Sequence, residues 1–550
     1  MRKKGILLIL ALTGLLSSCN DAIDINQPGQ VTNPSEIYKT PKDIQRGLMG
    51  IYSLLPGESE IEFVSVFTDE VAIGIANGGQ GLISGEYGFL MQPGNGFASS
   101  TWGGYYRVIN QINRLLKSNE DLVATASPED LQLLKDYKAH LLTLRAYANY
   151  KLFAYFTPNY TNPSGLSIMK LDFMQTDDYS KVIGRSTVSE ITKFILDDLT
   201  DAEANFTQAQ ESSVYVTQGL VDAIRTKLYA MVGDYPNVIT SAQAVLAQPR
   251  NQIGNVDDFA NYFDNKEVSK EIIFQLQRVR GDASVASAWY SASVGSNGSP
   301  FYEMGRSLYN ELDKLDPANT NKQVDVTRND IRYTVNVLYL NQPGAVSDVE
   351  DKLRYRGSYA MANYETLSQA EYMAEDKLFI GKYLGKRNES LPLQNNIPVM
   401  RSADIYLAMA EARANAGVIN STATSINSLY TDGQNGNSVE GILFFLKANR
   451  SQDRSLLVRE SPFANAQEAW KAILDARRVE FAFEGHRYLD MKRIGAKAGS
   501  PGFQRYSKDC VVNGACNLPV SDYRMTLPIP TSELNSNPIV KGQQNPGYSN

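Results

Sequence analysis

At 550 residues with 43% hydrophobic side chains, the chain is long enough to bury a large core. Its formal charge of −7 comes from 53 basic and 60 acidic residues, fairly evenly mixed, so nothing is gathered to neutralise a phosphate backbone and nucleic acid is excluded as a partner. Only His140 and His486 are present, which all but excludes an imidazole-based zinc site and leaves little room for a Ser/His catalytic pair.

Met1–Lys4 is basic and Gly5–Leu16 is apolar, 12 residues where a spanning helix needs about 20. Leu16-Ser17-Ser18-Cys19 follows, the pattern cut by a bacterial lipoprotein signal peptidase once the Cys19 thiol is acylated. Residues 1–18 are thus expected to be a lipoprotein signal peptide. The acyl tails on Cys19 would then anchor the chain stably, because two or more tails hold where one is marginal. Residues 19–39 read as a polar tether.

Thr40-Pro41-Lys42-Asp43 opens a helix, with Thr40 as N-cap and Pro41 at the first position, continuing through Ile44, Leu48, Tyr52 and Leu55. Ile75–Ser100 is rich in Gly and Asn without periodicity and predicts a long loop. Helical spacing returns over Trp102–Lys117, Pro128–Phe153 and Val188–Phe206. Gln218–Val232 and Asn237–Ala247 form a helix pair about the turn Gly233-Asp234-Tyr235-Pro236, the unit of helical repeat arrays. The middle, 252–396, is loop-rich, with alternating β-prone runs at Ile272–Gln277 and Tyr333–Tyr339. Helices resume over Ser402–Ala416 and Ala466–Ile494, and six prolines make the last 50 residues mostly extended or turns. In that tail Cys510 and Cys516 lie six apart across an Asn-Gly turn and are expected to close a small disulfide hairpin after export, two free thiols being the alternative.

The carboxylates Glu480 and Glu484 invite a glycosidase reading. They sit one turn apart among Arg477, Arg487 and Arg493, however, and local ion pairs explain them better. No phosphate loop, nucleophile elbow or zinc-protease helix appears. Sugar binding needs flat rings with polar groups around the rim. The chain has 31 Tyr and 20 Phe but only Trp102, Trp289 and Trp470. Trp289-Tyr290 and Tyr302 flank an irregular Ser/Gly/Asn stretch and are the leading stacking candidates; Tyr359 and Tyr364 are weaker ones. Trp470 reads as core. Asp69-Glu70 and Asp177-Asp178 are acidic pairs that lack the alternating ligands of a calcium loop.

Several segments resemble landmarks of the SusD/RagB family. These are the Thr40–Leu55 helix, the Gly219–Ala247 pair, Asp325–Leu340, the Arg-(Xaa)2-Asp-(Xaa)5-Ala-Glu-Ala pattern of Arg401–Ala412, the run Arg477–Arg493, and Gln544-Asn545-Pro546-Gly547-Tyr548 near the end. Tryptophan is scarce for a family that often stacks sugars on indoles. The resemblance implies a mainly α fold: a tetratricopeptide-like helix-pair scaffold of four pairs (about 40–250 and 400–495) and a loop-rich, partly β, ligand-facing region (about 252–396), in one domain over 40–550. It also implies a non-enzymatic, cofactor-free lipoprotein of the outer membrane, facing the cell exterior. Such a protein captures an oligosaccharide and delivers it to a SusC-like TonB-dependent transporter. Trp102 and Asp69 would border the ligand site. A peptide-binding member of the family and a structural lid with little affinity of its own are the alternatives.

Overall fold

The computed structural model describes residues 37–549 apart from 75–76, 80–84, 175–181, most of 280–299, 316–327, 339–357, 384–394 and the single residues 265, 267, 269, 359 and 512. Cys19, Tyr290, Tyr359 and Asp177-Asp178 therefore lie outside the described residues.

Helix α1 (Pro41–Leu54) begins as the sequence predicts. The Thr40 side chain accepts from the Asp43 N–H while the Asp43 carboxylate accepts from the Thr40 N–H, a reciprocal cap that contributes about 1 kcal/mol. Its Ile44, Leu48 and Ile51 face the core. Helix α2 (Glu58–Phe67) and strand β1 (Val71–Ile73) follow. Helix α3 (Gly96–Val123) starts inside the predicted loop because Asn95 caps it, accepting from the Ala98 N–H. Helices α4 (Pro128–Phe156) and α5 (Val188–Asn205) are capped by Ser127 and Thr187. Then come α6 (Gln218–Val232) and α7 (Tyr235–Leu246), separated by Gly233 at φ 80°, a left-handed position that favours glycine.

The chain continues through α8 (Val256–Phe263), β2 (Ile272–Leu276), β3 (Tyr302–Met304) and α9 (Arg306–Asp313). It goes on to α10 (Ile331–Asn336), α11 (Gln369–Glu375) and β4 (Ile397–Arg401). The second helical block is α12 (Ser402–Asn415), α13 (Ile426–Gln434), α14 (Val439–Arg450), α15 (Ala466–Glu480) and α16 (Arg487–Ile494). A short hairpin of β5 (Gly502–Gln504) and β6 (Asn517–Pro519) precedes the tail.

The architecture is mainly α and tetratricopeptide-like. Neighbouring helices pack as pairs, α3 on α4, α4 on α5, α6 on α7 and α13 on α14, and α12 bridges the two blocks by packing on α6, α7 and α15. The strands form three antiparallel pairs, β1–β3, β2–β4 and β5–β6. One continuous apolar core reaches from Ile44 to Val540.

Two sequence expectations are corrected. The β-prone run at Tyr333–Tyr339 is helical over α10, because Asp330 caps it from the Arg332 N–H and ion-pairs with the Arg332 guanidinium. That local cap, together with the pairing of Arg332 to the distant Glu480, overrides β-propensity there. The expected continuous helix over Ala466–Ile494 is two helices, broken where Phe483 and Gly485 adopt φ 60° and 80°.

That break changes what Glu480 and Glu484 do. Their partners are far away in sequence, not one turn along. Arg401 donates to Glu484 Oε2 at 2.8 Å, to Glu480 Oε1 at 3.1 Å and to Glu271 Oε1 at 2.6 Å. Arg450 donates to Glu271 Oε1 at 2.6 Å and Glu480 Oε1 at 2.7 Å. Lys382 reaches Glu484 at 2.8 Å, and Arg332 joins Asp330 to Glu480 at 2.6 and 3.4 Å. Four cations thus face four carboxylates, all buried. A second such cluster sets Lys227, Arg477 and Arg493 against Asp404, Glu411 and Asp490.

Removing one member strands its partners in a medium of low dielectric, which costs more than the intact pair contributes. Arg401→Met is expected to lower stability by about 3–5 kcal/mol, measured by chemical denaturation at neutral pH.

Candidate ligand-binding groove

Asp69 follows α2 and is 1% exposed. Both its carboxylate oxygens accept from Arg487, at 2.8 and 2.9 Å, and Arg478 lies 3.2 Å away. Burial alone would raise its pKa; the charges of Arg478 and Arg487 outweigh burial and hold the carboxyl well below the usual range. Glu70, beside it, points the other way. Burial pushes its pKa up to about 7, although the Ser65 hydroxyl (2.8 Å) and the Phe483 N–H (3.1 Å) donate to it. That bond to Phe483 holds the left-handed residue that breaks α15 from α16.

The β1–β3 ladder pairs Ile73 with Tyr302 and so brings the Asp69 and Tyr302 segments together. The approach is close: a Cβ on Gly74 would stand 2.2 Å from the Pro300 carbonyl oxygen. This closeness corrects the expected stacking platform. Trp289 is 0% exposed, its ring 5.6 Å from Phe483 and its carbonyl accepting from Phe301 and Tyr302. Tyr302 is 8% exposed, near Tyr87. Trp102 is core as well, packed edge-on against Tyr106 and Phe156, with its indole N–H on Glu533 at 3.1 Å. Buried rings such as these present no free face to a sugar. A Gly/Ser-rich flank in the sequence does not imply exposure of the rings beside it, here Trp289 and Tyr302.

An open groove of about 620 Å³ lies next to this cluster. Its walls include Arg306 and Asn310 on α9, the half-buried Tyr364, Gln504 at the end of β5, Tyr506 just beyond it, and Arg478. The Arg306 guanidinium sits 3.6 Å over the Tyr364 ring, and Tyr506 meets Tyr364 edge-on at 5.3 Å. Asn310 Nδ2 donates to the Tyr364 hydroxyl at 3.2 Å. Behind the wall, Arg306 Nη1 donates to Asp376 at 2.7 Å and its backbone N–H to Asp509 at 2.9 Å. Burial raises Asp509 to about 6 despite the Tyr372 hydroxyl that donates to it. Cys510 and Cys516 form a disulfide with Cα atoms 5.1 Å apart, closing the β5–β6 segment that presents Tyr506.

Asp69 therefore enters the site through Arg478, which donates to the Asp69 carbonyl at 3.1 Å and to Ser307 at 3.0 Å. Sequence reasoning named Tyr364 but missed Arg306, Asn310, Gln504 and Tyr506. The i, i+4 spacing of Arg306 and Asn310 on one helix face was a readable signal; nothing in the sequence announces that Tyr506 joins them. Neither histidine lines the groove. His140 bonds Tyr52 at 2.9 Å, and His486 stacks on Phe481 at 4.2 Å. Among the described residues no group of three or more His, Cys, Asp or Glu is disposed to hold a metal ion.

The fold is thus a tetratricopeptide-like scaffold that presents a polar, tyrosine-lined groove on its loop-built part. Residues 270–548, just over half of the chain, match the SusD family, and the chain belongs to it. Residues 50–224 also match a SusD-like family described as starch-binding associating with outer membrane. SusD-like protein P2 of Formosa agariphila is 25% identical over 574 residues, covering 100% of both chains. SusD-like protein P25 of the same organism is 20% identical, covering 98% of each. Among solved structures, a SusD superfamily protein from Bacteroides thetaiotaomicron matches with a TM-score of 0.67 at 21% identity, over 92% of this chain and 100% of its own. A SusD-like carbohydrate binding protein from Bacteroides vulgatus matches at 0.63 and 14% identity, over 93% of this chain and 98% of its own. These structural likenesses establish the shared fold.

A carboxyl whose pKa is raised on folding binds its proton more tightly in the folded state, so stability falls as pH climbs from the unfolded value through the folded one. For Glu70 that window is roughly pH 4.5 to 7, and the full cost above it is about 3 kcal/mol. Glu70→Gln is expected to gain stability relative to the parent at pH 8 and to differ little at pH 4, measured by denaturation at both. Trp289→Ala is expected to cost about 3–5 kcal/mol in the same assay, as a core deletion does.

Proposed function

We propose that this chain captures an oligosaccharide at the surface of the outer membrane, held there by lipid on Cys19, and hands it to a SusC-like TonB-dependent transporter. Membership of the SusD family supports the reading, as does the match of residues 50–224 to a starch-binding description. The observation that carries it is the groove between Arg306, Tyr364 and Tyr506. A pyranose offers C–H faces that pack on tyrosine rings, and hydroxyls that bond amides and guanidinium groups at the rim. No helix among the described residues is long and apolar enough to cross a membrane, so attachment in this reading rests on the lipid.

The role needs no catalysis. Glu480 and Glu484, the pair that invited a hydrolase reading, are buried and engaged by Arg401, Arg450 and Lys382. A glycosidase needs one carboxyl kept protonated beside a substrate, whereas the surrounding arginines, against the effect of burial, hold Glu480 ionised.

The test is a binding screen of the full chain, purified in detergent, against polysaccharides and a peptide digest by affinity electrophoresis and calorimetry. Saturable binding to a glycan without product release is expected, weakened about tenfold or more in Tyr364→Ala and Tyr506→Ala. Binding of peptide alone, cleavage of the polymer, or no binding by the folded chain would each overturn the reading.

A further inference from the structure

The charged groups around the groove are already paired with one another. Arg306 lies 2.7 Å from Asp376, and Arg478 lies 3.2 Å from Asp69, which also holds Arg487. Lys314 pairs with Glu311 at 2.8 Å, and Asp313 with Arg328 at 2.8 Å. Lys508, next to the groove, donates to the carbonyls of Tyr364, Glu365 and Leu367. Among the described residues each cation of the lining has a carboxylate partner, Arg478 sharing Asp69 with Arg487. The groups that remain open are uncharged: the Gln504 side-chain amide and the Tyr506 hydroxyl, both on half-buried residues, have no hydrogen-bond partner among the described residues.

We propose that the groove takes a neutral oligosaccharide and discriminates against chains bearing uronate or sulfate groups. This rests on the glycan-binding reading above and specifies its ligand class. An anionic sugar entering here would lose its hydration and meet Arg306, whose charge Asp376 already balances, so the loss would go uncompensated. A neutral hydroxyl does not face that obstacle. It both donates and accepts, as do the free amide of Gln504 and hydroxyl of Tyr506. Glutamine sets the hydroxyl pattern and tyrosine the ring contact, which makes Gln504 and Tyr506 the residues that determine specificity.

The experiment measures affinity of the full chain for neutral glycans (α- and β-glucans, xylan, mannan) and for anionic ones (alginate, polygalacturonate, carrageenan), each at low and high salt. The expected result is tightest binding to a neutral glycan, changed less than about twofold by salt because no exposed charge pair forms. Gln504→Ala and Tyr506→Ala should each weaken it about tenfold. Gln504→Glu should weaken neutral binding without restoring any to the anionic panel. Tightest binding to an anionic glycan that weakens steeply with salt and is lost in Tyr506→Ala would overturn this inference while leaving glycan capture intact. No glycan binding by folded protein would remove both.

Discussion

Buried charge is the constraint on which this structure depends. Glu271, Asp330, Glu480 and Glu484 face Arg332, Lys382, Arg401 and Arg450 inside the protein, and each ion would carry a desolvation cost of several kcal/mol if it stood alone. The cluster is tolerable only when every member is present and aligned, so it fixes the relative positions of β2, β4, α10, α14 and α15 together. Local backbone pays part of this cost. Glu271 sits at φ 75°, a left-handed conformation rare for a side chain with a Cβ, and from there its carboxylate meets both Arg401 and Arg450 at 2.6 Å. The turn between α15 and α16 holds Phe483 at φ 60° for a related reason: Glu480 reaches Arg450 and Glu484 reaches Lys382 while both meet Arg401.

From that cluster the constraint runs outward to the groove. Glu70 holds the Phe483 N–H, Asp69 holds Arg478 and Arg487, and Arg478 reaches Ser307 on α9. The groove walls come from four places remote in sequence, residues 306–314, 360–364, Arg478 and 504–506. The outer wall segments are fastened by Asp376, Asp509 and the Cys510–Cys516 disulfide. A groove built this way is set before ligand arrives, which reduces the ordering cost of binding a flexible sugar chain.

The scaffold was legible because its signals are local. Thr40 with Asp43, Thr187 with Glu190, and Gly233 followed by Asp234 mark helix ends through bonds within one turn. The i, i+3, i+4 recurrence of apolar residues marks the faces between those ends. Helices α2, α8, α9, α11, α13 and α14 went unread. All but α14 are short, 7 to 10 residues, and a short helix depends on tertiary packing more than on its own pattern. The run at Tyr333–Tyr339 was misread for the complementary reason: its β-branched residues obey local propensity on paper, while the Asp330 cap and the pairing of Arg332 with the distant Glu480 decide in the folded chain.

By itself the sequence determined the helix-pair scaffold and the family, because each is written in residues close together in the chain: caps, apolar periodicity and the Arg401–Ala412 and Arg477–Arg493 runs. Only the tertiary structure decided which charges neutralise which, that Trp102, Trp289 and Tyr302 are packed inside, and that Tyr364 meets Tyr506 beneath Arg306. Those outcomes turn on contacts between residues up to several hundred positions apart. Burial and charge pairing are properties of such contacts, and composition and spacing along the chain carry no record of them.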